Sequence, residues 1–169
     1  MVPPRDRTGG IRGGRPRLRG ENPRKPATQT AAPAAQKAKK RVLFVCIGNS
    51  CRSQMAEAFA RAYGSDILVV QSAGLAPASI VQALTRQVLM EKNISSESQF
   101  PKSLESVAGD SFDVVVNISG EPLPSELRTR RSIEWRVRDP IGQSESLYRT
   151  VAAEIEGLVM RLILELRAT

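Results

Sequence analysis

Two side chains six positions apart could do chemistry together in this chain: Cys46 and Arg52. Ile47, Gly48, Asn49, Ser50 and Cys51 lie between them, and Ser53 follows. Val42-Leu43-Phe44-Val45 run straight into the cysteine, as in a strand buried on both faces. Beyond the loop, residues 53–63 have helical spacing, with Ser53 as an N-cap and Glu57 in the first turn. A thiol between a strand end and a helix start meets backbone amides, a helix N-terminus and a guanidinium. Such a setting lowers a thiol pKa from about 8.5 to roughly 3.5–7.5. The same donors grip a tetrahedral oxyanion, the arginine through two parallel hydrogen bonds. A nucleophile and an anion cradle in one loop, Ile47 to Ser53, predict attack by Cys46 on phosphorus or on a phosphate mimic such as arsenate.

The composition narrows the alternatives. There is no histidine, which removes Ser-His-Asp hydrolysis, Cys-His proteolysis and most zinc chemistry, and no cofactor or metal is called for. The two cysteines sit five positions apart and make no disulfide framework, so a reducing, cytoplasmic setting is expected. No transmembrane run or signal peptide is visible. The net charge of +8 is unevenly spread: residues 1–40 hold 11 Lys/Arg against two acids, leaving residues 41–169 at −1. Residues 1–40 are rich in Pro, Gly, Arg and Ala and contain no aromatic residue, so they read as a disordered basic tail. Its Gly9–Arg15 stretch could make weak, salt-sensitive contact with nucleic acid, or be no more than a solvated tail. Residues 41–169 read as one catalytic domain.

The elements that must position the loop follow. Ile67–Val70 is a second buried strand ending in a turn at Ser72-Ala73-Gly74. Met55, Ala58, Phe59 and Ala62 mark the core face of the first helix, and Ile80, Leu84 and Val88 that of a second, which Asn93 breaks. A short helix is expected near Leu104–Ala108 and a third buried strand over Phe112–Ile118. Residues 119–131 read as a loop. Ile133, Trp135 and Val137 alternate with charged residues, as in an edge strand. Leu147, Val151, Ile155, Leu158, Leu162 and Leu166 mark a long closing helix. Alternating strands and helices predict an α/β fold, a four-stranded parallel sheet of order 2-1-3-4 with helices on both faces. The order reverses beside strand 1, the ligand-binding position of open α/β sheets, and the loop after strand 4 leaves the same edge. Asp139 of Asp139-Pro140 can therefore reach the Cys46 loop. It is the candidate proton donor to a leaving oxygen, against the alternative of a plain turn.

Strand, Cys-x5-Arg-Ser loop, Gly48-Asn49, Ala56-Glu57 and Asp139-Pro140 together resemble the low-molecular-weight protein tyrosine phosphatase family, which includes the thioredoxin-type arsenate reductases. The resemblance spans roughly residues 41–167. It implies Cys46 as nucleophile, Arg52 and the loop amides as oxyanion binders, and Asp139 as general acid. It implies that Asn49 holds the loop, bonded to Ser72, and that Ser53 stabilises the departing sulfur; a turn residue and an N-cap are the simpler roles. Cys51 is either a redox partner of Cys46 or a small residue packed under the loop. Ile141-Gly142 follow Asp-Pro where phosphatases of the family carry aromatic residues. No cysteine follows strand 3, where thioredoxin-coupled reductases carry two, while Ser53–Glu57 look more like the reductase branch. The leading expectation is a phosphatase acting on phosphate monoesters, aryl phosphates or phosphotyrosine, through a phospho-cysteine. The alternative is an arsenate reductase using an external thiol. A further one is a non-catalytic oxyanion- or nucleic-acid-binding protein.

Overall fold

The computed structural model describes residues 13–14 and 37–169. The basic tail and its proposed nucleic-acid contact therefore lie almost wholly outside the described residues. Within residues 37–169 the order of elements is β1 (Lys40–Cys46), α1 (Arg52–Gly64), β2 (Leu68–Gly74), α2 (Ala83–Glu91), a 3₁₀ turn (Leu104–Ser106), β3 (Ser111–Asn117), β4 (Arg128–Glu134) and α3 (Glu145–Arg167). The four strands form one sheet in the order β2-β1-β3-β4, all neighbours parallel. The predicted fold class and strand order hold.

The apolar run of β1 explains its central place. Val42, Leu43, Phe44 and Val45 are each 0% exposed, because both sheet faces above and below β1 are covered. Val42 and Phe44 face the larger core with Met55 and Phe59 of α1, Val88 and Leu89 of α2, and Tyr148, Val151, Ile155 and Val159 of α3. Leu43 and Val45 face a smaller core with Val115, Phe112, Leu104 and Val107. The helical cover is thus unequal: three α-helices on one face, one 3₁₀ turn with loop residues Leu75, Leu123 and Leu127 on the other. Each large side chain taken from water in these cores contributes roughly 1.5–3 kcal/mol before entropy is counted.

Element ends differ from the sequence reading in instructive ways. β2 continues through Ser72-Ala73-Gly74 instead of turning there, pairing Cys46 with Gly74 at its last register position. Ile80 is 65% exposed and precedes α2, so it belongs to a loop and not to the helix stripe. Ala62 of α1 is exposed as well. β4 starts at Arg128, inside the stretch read as loop, and ends before Trp135. Its exposed, arginine-rich sequence hides it: an edge strand is held by β3's backbone, with no apolar period to signal it. Asn93 ends α2 as expected, in the left-handed region at φ +60°.

Candidate active site

The loop from Cys46 to Ser53 leaves the carboxyl end of β1 and enters α1. Donors outside the loop take its carbonyls one after another. Leu75 N–H donates to Cys46 O (3.1 Å), Ala76 N–H to Ile47 O (2.8 Å), Ala78 N–H to Gly48 O (2.9 Å) and Gln82 N–H to Ser50 O (3.0 Å). Gln54 Nε2 donates to Asn49 O (2.9 Å), and Thr85 Oγ1 adds a second bond to Ser50 O (3.1 Å). With its carbonyls pinned outward, the loop keeps the N–H groups of Gly48, Asn49, Ser50 and Cys51 free of protein acceptors among the described residues. Asn49, Ser50 and Cys51 are buried, so those amides need an acceptor. A run of convergent amides of this kind is an anion-binding nest.

Asn49 makes the tight turn possible. Its φ is +47°, a left-handed conformation that asparagine tolerates better than most residues. Its Oδ1 accepts the backbone N–H of Lys102 (3.0 Å), which fixes the orientation of the side-chain amide. Nδ2 then donates one hydrogen to Ser53 Oγ (2.8 Å) and one to Ser72 Oγ (2.9 Å), the latter the bond that the family resemblance implies. Since Ser53 Oγ already accepts from Asn49, its single proton is free for Cys46 Sγ, 2.8 Å away. There it can hold charge on a departing sulfur. Ser53 is not the helix N-cap; Cys51 occupies that position, and no side chain caps the helix.

Arg52 opens α1 and is 8% exposed. Nη1 donates to Ile118 O (2.9 Å) and Val137 O (3.0 Å), carbonyls just beyond β3 and β4. Among the described residues Nε and Nη2 make no hydrogen bond to protein; Nη2 stands 3.8 Å from the carboxylate of Asp139. One side of the guanidinium is anchored, and the other keeps the two-pronged edge that grips oxyanions. Asp139 is half-exposed, its Oδ1 accepting Ile141 N–H (3.0 Å), so it is also the turn residue of Asp139-Pro140. The structure thus brings Cys46, Ser53, Asn49 and Ser72 into one hydrogen-bonded chain and sets Asp139 beside Arg52.

Several supporting residues escaped the sequence reading. Glu57 lies beyond the first turn of α1 and is buried; its Oε2 accepts Ser72 Oγ–H (2.9 Å) and Gln99 Nε2–H (3.0 Å). Gln99 Nε2 also donates to Gln54 Oε1 (2.7 Å), and Gln54 returns to the loop at Asn49 O. Asn49, Ser72, Glu57, Gln99 and Gln54 form a closed buried ring beneath the loop. Gln54 and Glu57 sit one turn apart on a helix face buried against the loop, a spacing that could have drawn notice. Gly74 was read only as a turn: a Cβ there would meet Ile47 O at 2.7 Å and Asn49 N at 2.9 Å. Cys51 is 2% exposed within the larger core. Burial pushes its thiol up to about 12, a hydrogen bond with Thr85 opposing and the nearby Cys46 reinforcing the shift.

A buried strand, a carbonyl-pinned loop that starts at a cysteine and presents free amides, and an arginine at the helix start define the class: an α/β protein with its candidate site in the first strand-to-helix loop. The family model for low molecular weight phosphotyrosine protein phosphatase matches residues 41–169, and the chain belongs to that family. It is 39% identical over 127 residues to a glutaredoxin arsenate reductase from Synechocystis, covering 73% of this chain and 96% of that protein. A solved arsenate reductase in the phosphate binding state superposes with TM-score 0.71 at 35% identity, over 75% of this chain and 98% of the other. An arginine phosphatase from Geobacillus stearothermophilus aligns with TM-score 0.66 at 27% identity, over 76% and 94%. These findings overturn the leading expectation of a phosphate-monoester phosphatase: the relatives at higher identity are arsenate reductases, and the phosphatase is more distant. Among the described residues no helix is long and apolar enough to cross a membrane.

Proposed function

We propose that this protein reduces arsenate to arsenite, with Cys46 as nucleophile and a thiol from outside the chain as reductant. The observation that carries this reading is the 39% identity to a glutaredoxin arsenate reductase across nearly that protein's whole length, centred on an anion nest that begins at a cysteine. Arsenate would bind with its oxygens on the loop amides and on the free edge of Arg52. Cys46 Sγ attacks arsenic; an S–As bond forms, one As–O bond breaks, and the oxygen leaves as water after taking a proton from Asp139. A thiolate then attacks Cys46 Sγ. The new S–S bond forms, the S–As bond breaks, and its electron pair stays on arsenic, which departs as arsenite. A second thiolate attacks the outer sulfur of the mixed disulfide, releasing a free disulfide and restoring Cys46.

The reductant has to come from outside because the chain holds only one other cysteine. At a pKa of about 12, Cys51 is thiolate in roughly one molecule in 10⁵ at pH 7, which suits packing better than attack. The test is arsenite release by the purified full chain given arsenate with glutathione and glutaredoxin, or with dithiothreitol. Wild type is expected to release arsenite with at least one reductant, and Cys46→Ser to lose at least 10³-fold of that rate. A folded wild type that yields no arsenite with any of them overturns the proposal.

A further inference from the structure

Tyr148 carries a hydroxyl that nothing in the fold engages. It is the fourth residue of α3 and 2% exposed, its ring packed in the larger core with Cys46, Cys51 and Val137. A tyrosine hydroxyl taken from water ordinarily finds a hydrogen-bond partner, as Tyr63 does in Glu156 (2.8 Å). Among the described residues the Tyr148 hydroxyl has none. It is also not among the sealed, unpartnered side-chain atoms, which are Arg41 Nε and Gln71 Oε1, so its oxygen borders an opening. The chain directs that opening toward Asp139. The connection between them turns twice: Asp139 Oδ1 accepts Ile141 N–H (3.0 Å), Pro140 O accepts Gln143 N–H (2.9 Å), and Ser144 then caps α3. Burial pushes the Tyr148 phenol up to about 12, and the charges of Cys51 and Asp139 add to the shift, so both stand close to it. Asp139 itself keeps Oδ2 free of hydrogen bonds among the described residues, with Arg52 Nη2 at 3.8 Å.

We infer that Tyr148 is a positioning residue for Asp139, its O–H donating to Asp139 Oδ2 once an oxyanion occupies the free edge of Arg52. The inference rests on the arsenate-reductase reading and deepens it. A donor without an acceptor stands beside an acceptor without a donor, and a turn of the half-exposed carboxyl group joins them. In the resting protein Asp139 leans on Arg52. When arsenate takes Nε and Nη2, that guanidinium is shared with the ligand, and Oδ2 needs another donor. Hydrogen bonds at active sites are often long before the ligand enters and close when it does. Asp139 gives its proton to the oxygen leaving arsenic, and negative charge then develops on its carboxylate beside an anionic adduct. The Tyr148 O–H holds that charge as it forms. The bond is stronger after the proton has moved than before, so it speeds the chemical step and leaves arsenate binding alone. With a pKa of about 12, Tyr148 keeps its own proton throughout at pH 7.

The test has two arms. Tyr148→Phe keeps the ring and removes only the hydroxyl. Since that hydroxyl has no partner in the resting fold, Tm should stay unchanged or rise. In single-turnover rapid-quench experiments on the full chain, the maximal rate of Cys46 adduct formation should fall about tenfold, the low end for a hydrogen bond to a charged group. The arsenate concentration giving half that rate should stay within about twofold. In an Asp139→Asn background the same substitution should change the rate less than about twofold. A Tyr148→Phe rate equal to wild type, a tenfold loss that persists in the Asp139→Asn background, or a rate loss accompanied by a fall in Tm overturns the inference. The second arm uses no arsenate. Tyr63→Phe leaves Tyr148 as the single tyrosine of the chain, so labelling with [4-¹³C]tyrosine gives one ring-carbon line by NMR. On saturation with inorganic phosphate this line should move downfield, as a phenol does when it donates to a carboxylate, and Asp139→Asn should abolish the movement. A line indifferent to phosphate, or moving equally in Asp139→Asn, overturns the pairing. If the line behaves as expected and no arsenite forms with any thiol, the reductase reading falls and the Tyr148–Asp139 pair stands.

Discussion

Gly74→Ala probes the loop without touching any group that does chemistry. Gly74 ends β2, and a methyl there would lie 2.7 Å from Ile47 O, 2.9 Å from Asn49 N and 3.0 Å from Asn49 Cβ. Two of the three obstacles are backbone, which cannot swing aside as a side chain can. Relief to ordinary contact at about 3.4 Å requires the loop to move by roughly 0.5–0.7 Å. The loop is held on the other side by Ala76, Ala78 and Gln82 and beneath by Gln54, so the movement strains several hydrogen bonds at once. Overpacking of this kind costs about 1–3 kcal/mol, which lowers Tm by roughly 4–11 °C in a domain of this size. The effect on turnover should be larger, because the displaced amides are those proposed to hold the oxyanion. A misplacement approaching 1 Å costs about 10²-fold in rate. Arsenite release and thermal unfolding measured on the same preparation decide the matter. Gly109→Ala, where a Cβ meets nothing within 4 Å, is the control and should leave both unchanged. A Gly74→Ala enzyme with turnover within twofold of wild type would refute the idea that loop position limits the rate.

Three further outcomes follow from the same geometry. Glu57→Gln gives Ser72 and Gln99 one acceptor oxygen fewer and removes the partner of Arg61; urea unfolding should show a loss of about 1–3 kcal/mol. Cys51 has a folded pKa of about 12, raised by burial from 9.0. Its unfolded thiol therefore loses its proton first, and the stability it contributes is complete below pH 9 and fades as pH rises toward 12. Between pH 9 and 10, Cys51→Ala should lose less stability than wild type, by up to about 1.4 kcal/mol per pH unit, in urea unfolding at each pH. Asp139→Asn keeps the turn, since the amide oxygen still accepts Ile141 N–H, but has no proton to give. Arsenite release should fall about 10²–10⁴-fold with little change in the KM for arsenate, and an unchanged rate would remove Asp139 from the acid role.

The fold was legible because its strongest signals are local. Val42–Val45, Val114–Val116 and the stripe from Leu147 to Leu166 each declare their burial by period or run length. β4 was placed late because Arg128–Glu134 has almost nothing to bury, and its strand state is imposed by pairing with β3. The same division applies at the site. Cys46 and Arg52 stand in a spacing that suggests an anion loop, whereas Asp139-Pro140 alone reads as a plain turn and is singled out by its place after the last strand and by the family resemblance. Gln99 and Gly74 give no such signal, since their roles exist only once distant segments fold together, Gln99 against Gln54 and Glu57, Gly74 against Ile47 and Asn49. Ser53 was misread as a cap for a related reason. Its hydroxyl is captured by Asn49 and Cys46, and no local rule sees a competing partner seven residues back.

A nest of this geometry suits any tetrahedral oxyanion of the right size, so the loop alone does not choose between phosphate and arsenate chemistry. What separates them is the fate of the sulfur adduct. A phospho-cysteine must be opened by water at phosphorus, whereas an arsenic adduct is opened by a thiol at sulfur. Toward an ionised Cys46 Sγ the Ser53 hydroxyl, 2.8 Å away, is the donor, so it steadies the sulfur when the S–P or S–As bond breaks heterolytically toward sulfur, as hydrolysis requires. Reduction breaks that bond the other way, with the electron pair going to arsenic, and gains nothing from a donor on sulfur at that step. It does gain from one in the first step, when the attacking sulfur must be held in line. Ser53→Ala should therefore slow formation of the Cys46 adduct, and leave the later attack by an external thiol nearly untouched. Rapid-quench measurement of adduct formation and decay separates the two rates. A decay rate that falls as far as the formation rate would show that the hydroxyl acts on the departing sulfur instead.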